Sequence, residues 1–246
     1  MPTRKKSMLN TRAQNTANAA GGPDVGNSED LIYERILAAI FEHRLPPGTK
    51  LGEDRLASIF GVSRARIRRV LPRLAHEGVV TLEPNRGAFV TEPTVEEARD
   101  VFEARRLIEP AILRRLMRRG DLAEMLSKLR EHVGTEACAR AAGDSRAIVR
   151  LSGEFHTLLA DMAGNVLLAK AMRELASLTC LIIALYDRPS VPACLGEEHA
   201  EIVDVVASGD CARASELMVQ HLDHVESNLE LDQEESLAVD LEAVLR

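Results

Sequence analysis

The sequence predicts a mainly α chain with one short β-hairpin in its first third and an all-helical remainder. Three observations carry this. Apolar residues recur at i, i+3, i+4 spacing through most of the chain after Glu29, the period of half-buried helices. Strand-like residues bounded by turn chemistry occur at 79–82 and 88–90, around Glu83-Pro84-Asn85-Arg86-Gly87. Aromatics make up 3% and Trp is absent, so the cores must be aliphatic, which suits packed helices. At 246 residues and 46% apolar, the chain can bury two ordinary cores.

Residues 1–28 are rich in Asn, Thr, Ala, Gly and basic residues without periodicity and predict a disordered arm. From Glu29 an amphipathic helix carries Leu31, Ile32, Ile36, Leu37 and Ile40 inward, and Leu45-Pro46-Pro47-Gly48 forbids its continuation. A second helix, Glu53 to Phe60, stops at Gly61. Ser63 then caps a third that ends near Gly78, with Pro72 predicting a bend because it removes the bond to the Arg68 carbonyl. The hairpin follows. Helix, helix, turn, helix, hairpin is the order of a winged helix-turn-helix, assigned to 29–92. Residues 91–94 read as a linker, and 93–233 as a bundle of about six helices punctuated at Gly120, Gly143, Gly164, Pro189, Pro192 and Gly209. Residues 234–246 read as a tail or a short terminal helix.

The formal charge of −7 excludes a uniformly basic coat but hides asymmetry: five arginines and no acid fall between Ser63 and Leu74. The four cysteines, Cys138, Cys180, Cys194 and Cys211, lack metal or redox spacing and are expected to be reduced, buried packing residues. The basic start lacks an apolar signal region and no apolar run approaches membrane-spanning length, so the expectation is a cytoplasmic protein without membrane attachment.

At 100° per residue, Ile67, Val70, Leu71 and Leu74 form the core face of the third helix. Arg66, Arg69 and Arg73 lie opposite, and Arg64 and Arg68 line a flank. Long donors in the first turns of the second helix of a helix-turn-helix are what reach base edges in the major groove. A solvated charged face normally mixes signs, and this one does not.

These residues sit in the register of a known family. Leu45-Pro46-Pro47-Gly48, Leu51-Gly52-Glu53, Leu56-Ala57, Gly61-Val62-Ser63-Arg64, Ile67-Arg68, Arg73-Leu74, Glu77-Gly78-Val79-Val80 and Asn85-Arg86-Gly87-Ala88-Phe89-Val90 resemble the GntR regulators, within them the FadR-type branch with an FCD effector domain. The resemblance implies that Ser63, Arg64 and Arg68 touch phosphates and bases, and that Arg86 with Gly87 forms a wing tip at the minor groove. It also implies a homodimer on palindromic operator DNA. The chain departs from the pattern at Asp54, where an arginine is common, and at Arg66 and Arg69, so operator preference does not transfer.

In the second domain, the helix predicted over 95–117 carries Ala98, Val101, Phe102, Ile112 and Leu116 on one stripe with Arg105 and Glu109 in its middle. Buried charge requires a partner or a ligand, so either the two residues pair at i, i+4 or Arg105 also clamps a ligand carboxylate. Glu103-Ala104-Arg105 and Ile108-Glu109 resemble the start of the FCD domain, where that arginine lies beside the effector cavity. His156, His199 and His221 match FCD metal-ligand positions on three helices, implying a zinc or nickel centre. Ser152 replaces the family's fourth ligand, an aspartate, which leaves three imidazoles plus water or effector, or a metal-free site. Ser152 and Asn165 join Arg105 as effector-contact candidates, while His132 and His224 are expected at the surface.

The resulting expectation is a DNA-binding transcriptional regulator controlled by a small carboxylate metabolite. A metal-dependent hydrolase of small acids is the alternative, since three histidines with an open position can activate water; Glu154 or Glu198 would then be the base. No HExxH, nucleophile elbow or phosphate loop supports it. An architectural DNA binder leaves Arg105 on its apolar stripe unexplained.

Overall fold

The computed structural model describes residues 28–187 and 197–231. Among them are nine helices and one two-stranded sheet: α1 (Glu29–Phe41), α2 (Glu53–Phe60), α3 (Arg64–His76), β1 (Val80–Glu83), β2 (Gly87–Val90), α4 (Val95–Leu116), α5 (Leu122–Ala141), α6 (Ser145–Met162), α7 (Val166–Tyr186), α8 (Glu198–Ser208) and α9 (Cys211–Ser227). The expected arm, save Ser28, and the C-terminal tail lie outside the described residues, as does Cys194.

Local chemistry sets most boundaries. Ser28 accepts from the Leu31 amide at the start of α1, so the last residue assigned to the arm is a helix cap. Gly61 ends α2 at φ +63, a left-handed turn that costs glycine nothing. Thr94 and Glu97 form a reciprocal capping box at the start of α4. Ser63 occupies the N-cap of α3, but its hydroxyl makes no cap bond. That helix continues through Pro72 to His76 without a break; the ring lies on the exposed side.

The β1–β2 hairpin pairs Val80 with Val90 and Glu83 with Gly87. It gains a third element from the segment between α1 and α2. The Leu51 amide donates to the Ala88 carbonyl and the Val90 amide to the Thr49 carbonyl, 2.8 and 2.9 Å, so residues 48–51 run along β2 and brace the wing. Ile32, Ile36, Ile40, Phe60, Ile67, Leu74 and Val80 close one core. Leu113, Leu129, Phe155, Leu159, Met172 and Met218 close the principal core of the α4–α9 bundle.

The two cores touch. α1 packs on α6 and α7, and Leu181 of α7 belongs to the N-terminal core. Two expectations fail in detail. Of the described cysteines only Cys180 is buried, because Cys138 lies on the outer face of α5 and Cys211 at the open start of α9. His132 is not a surface residue: only 14% of its side chain is exposed, since α5 turns it inward against α6.

Candidate DNA-reading surface and metal centre

α3 buries Ile67, Val70, Leu71 and Leu74, which forces Arg64, Arg68, Arg69 and Arg73 outward. Arg66 lies half-buried among them. The surface is not the acid-free face that α3 alone suggests, because α1 and α2 bring carboxylates to it. Arg64 pairs with Asp54 at 2.6 Å, Arg68 with Glu53 at 2.7 Å, Arg69 with Glu29 at 2.6 Å and Arg73 with Asp30 at 2.8 Å. Exposed pairs of this kind are worth about 0–1 kcal/mol, so a phosphate or base edge can displace the carboxylate. Asp54 thus orients Arg64.

The wing turns through Asn85 at φ +62 and Gly87 at φ +105. Arg86 pairs with Glu83 and stacks on Phe89 with its guanidinium carbon 5.3 Å from the ring centre. Between wing and α3 lies a groove of about 390 Å³ lined by Lys50, Arg64, Arg68 and Arg86.

In the bundle, α6, α8 and α9 deliver His156, His199 and His221 to one buried point. The His221 Nε2 stands 3.2 Å from that of His199 and 3.3 Å from that of His156. Each ring gives its other nitrogen to a carboxylate: His156 Nδ1 to Glu109 at 2.6 Å, His199 Nδ1 to Glu136 at 2.8 Å and His221 Nδ1 to Glu198 at 2.7 Å. An Nδ1–H donating to a carboxylate leaves Nε2 a bare acceptor, so the ring contacts fix the tautomers.

Burial dominates the protonation. It pushes His156 down to about 3 and His221 down to about 4, against the opposing pull of Glu109 and Glu198. Burial would raise Glu109 and Glu136, but Arg105 and His156 hold the first at about 2, and His132 and His199 hold the second at about 2. His156 and His221, kept neutral by burial and backed by carboxylates, therefore present lone pairs that converge on the Nε2 of His199 at a point where a cation would relieve their repulsion. Three nitrogens on a tetrahedral zinc ion at about 2.0–2.1 Å stand about 3.3–3.4 Å apart, so the donor set and its spacing fit a divalent metal.

Arg105, only 2% exposed, lies beside this centre. Its Nε donates to Glu109 at 2.7 Å and its Nη1 to the Thr179 hydroxyl at 3.1 Å, while Nη2 is buried without a partner among the described residues. Arg105, Ser152, His156, Thr179 and His221 line a cavity of about 10 Å³, space for one water-sized molecule. Asn165 is elsewhere. Its Oδ1 accepts the Leu167 and Leu168 amides at 3.0 and 3.3 Å as the cap of α7, and it does not line the cavity.

Glu136, Thr179 and His132 are site residues that sequence reasoning missed. His132 anchors Glu136 at 3.3 Å across one turn of α5, an i, i+4 pair that looks like any surface pair in a sequence. Glu198, weighed as a catalytic base, is engaged by His221 and His224, and Glu154 pairs with Arg150. Neither carboxylate lines the cavity beside the histidines.

A helix-turn-helix with an arginine-rich second helix and a wing, in one chain with a helical bundle that encloses a cluster of buried histidines and carboxylates, has the architecture of a DNA-binding transcriptional regulator. The comparisons agree. Residues 29–90 match the model of the bacterial regulatory proteins of the gntR family, and residues 100–224 match that of the FCD domain. The regulator LutR of Bacillus subtilis is 30% identical over 214 residues, covering 75% of this chain and 93% of LutR. The repressor RspR of Escherichia coli is 26% identical over 212 residues, covering 83% of this chain and 90% of RspR. Among solved structures, a GntR regulator from Rhodococcus sp. RHA1 shares the fold at a TM-score of 0.71 and 24% identity, over 84% of this chain and 99% of that one. The chain belongs to the GntR family and carries the FCD domain of its FadR-type branch. No described helix is long and apolar enough to cross a membrane.

Proposed function

We propose that this regulator binds a palindromic operator as a homodimer and that a small carboxylate metabolite, held in the bundle, sets its DNA affinity. The observation that carries the reading is the convergence of the three Nε2 atoms beside the unpartnered Nη2 of Arg105. His156, His199 and His221 would hold a zinc or nickel ion, which supplies a positive anchor for an anionic oxygen. Arg105 supplies a guanidinium fork whose Nη2 is free to meet the second oxygen. Ser152, a neutral side chain in place of an aspartate, leaves the positive charge of the centre uncompensated on that side, which favours an anionic ligand. With about 10 Å³ of space present, entry requires α4, α6, α7 and α9 to separate. That movement is what a ligand can transmit, because α6 and α7 are the helices against which α1 packs.

The effector shifts operator binding by its differential affinity for the two domain arrangements, an expected coupling of about 1–3 kcal/mol. Metal content by elemental analysis and operator affinity by titration test the reading together. Parent protein should retain one divalent ion per chain, His199→Ala should lose it along with the response to effector, and Ser152→Asp should raise metal affinity. Unchanged metal affinity in Ser152→Asp by chelator competition, with histidine variants that respond normally, would make the centre structural and defeat the reading.

A further inference from the structure

Besides the histidine centre, the molecule contains a larger cavity of about 240 Å³ between its two domains. Tyr33, Leu37, Ala38 and Phe41 of α1 form one side, and α6 and α7 the other. The domain contact is therefore incomplete: α1 meets the bundle around a hollow. A cavity of roughly 150 Å³ lined by apolar side chains already holds one benzene, so this one accommodates a single substituted ring.

Its wall carries a second signal. Ser177 is 94% buried, lines the cavity and makes no hydrogen bond among the described residues, which leaves its hydroxyl available to whatever fills the space. The charges at the rim are unevenly spent. Glu77 accepts the Tyr33 hydroxyl and Glu154 pairs with Arg150 at 2.7 Å. Arg173 lines the cavity while its partner Asp161, at 2.7 Å, does not, so it is the lining cation whose counter-ion sits outside. Glu34 stands exposed on the α1 side.

We propose that this cavity is a second small-molecule site, distinct from the histidine centre, for a compact apolar acid: a single ring or short branched chain bearing one carboxylate. The apolar body lies against Leu37 and Phe41, a polar substituent reaches the Ser177 hydroxyl, and the carboxylate meets the guanidinium of Arg173, which offers a planar fork. The two cavities share a wall. Gly153, Ala176 and Cys180 line both, and at Gly153 an added Cβ would stand 3.0 Å from the Cys180 sulfur, so α6 and α7 are in close contact there.

Benzoate is the probe, with benzylamine as its charge-reversed counterpart, and binding to the full chain is followed by ligand-observed NMR and calorimetry. Saturable millimolar binding of benzoate is expected, with benzylamine at least tenfold weaker. Ser177→Leu and Ala38→Leu fill the cavity from opposite sides, and each should weaken benzoate at least tenfold while keeping parental circular dichroism and operator binding. Arg105→Lys, which alters the histidine cavity, should leave benzoate binding within twofold. No saturable binding, or binding of benzylamine in preference, overturns the proposal. So does binding that survives both filling variants and is lost in Arg105→Lys, because the probe would then occupy the histidine cavity. None of these outcomes depends on metal content, so failure here and failure of the metal-centred reading are separable.

Discussion

Replacing Arg105 by Ala should destabilise the helical bundle before it does anything else. The guanidinium and Glu109 are both about 2% exposed and joined at 2.7 Å, and the carboxylate's other partner is His156. Removing one member of a buried pair typically costs about 3–5 kcal/mol, because the remaining charge is stranded. Two details moderate this. The substitution also removes the unpartnered Nη2, relieving about 1 kcal/mol or more of buried-donor cost, and Thr179 keeps its own bond to the Leu175 carbonyl at 2.8 Å. The expected loss is therefore about 2–4 kcal/mol, a large part of the roughly 5–15 kcal/mol that holds a domain folded. In a domain of this size it lowers Tm by about 4–16 °C. Urea denaturation followed by far-UV circular dichroism measures the loss. A cycle with Glu109→Ala and the double variant separates the pair from its surroundings, with an expected coupling of about 1–3 kcal/mol. A single variant within about 0.5 kcal/mol of the parent, or a cycle additive to that margin, would refute the view that a buried ion pair anchors this site. It follows that loss of effector response in Arg105→Ala must be compared at matched stability, and Arg105→Lys is the cleaner probe of the guanidinium fork.

Other consequences are more local. Glu136→Gln keeps an acceptor for His199 Nδ1 but loses the charge, so metal affinity measured by chelator competition should fall about 10–100-fold; an unchanged affinity would detach Glu136 from the centre. Arg64→Ala and Arg68→Ala should each weaken operator binding by about 1–3 kcal/mol at fixed salt if they meet base edges, and unchanged affinity in both would mean that α3 is not the reading helix. Burial holds the half-buried His43 imidazole below its ordinary range, so the unfolded chain takes up a proton there that the folded chain refuses, and stability falls as pH drops below about 6.5. His43→Asn, which tolerates the positive φ of +53, should flatten that part of the pH–stability curve; an identical slope contradicts the assignment. Sedimentation at micromolar concentration should give a dimer, whereas a monomer that grips an isolated half-site tightly contradicts the palindromic model.

The sequence by itself determined the fold class and many element ends, because helical periodicity, Gly61 and the Pro46-Pro47-Gly48 turn act over a few residues. It also displayed the arginine-rich third helix and the three histidines, whose residue types and register in the chain are visible without coordinates. What lay beyond it depends on side chains that meet across long separations. The acids that pair the arginines of α3 come from α1 and α2, up to 43 residues away, so the helix looked purely basic when read alone. Glu136 reaches His199 across 63 residues, and Glu109 reaches His156 across 47. No local pattern marks such partners, yet they decide the tautomers, and hence that three ring nitrogens face one another as acceptors. The bracing of the wing by residues 48–51, the space left at Arg105 and the hollow between α1 and the bundle likewise exist only once the elements are packed, because a cavity belongs to the fit between surfaces and not to either surface.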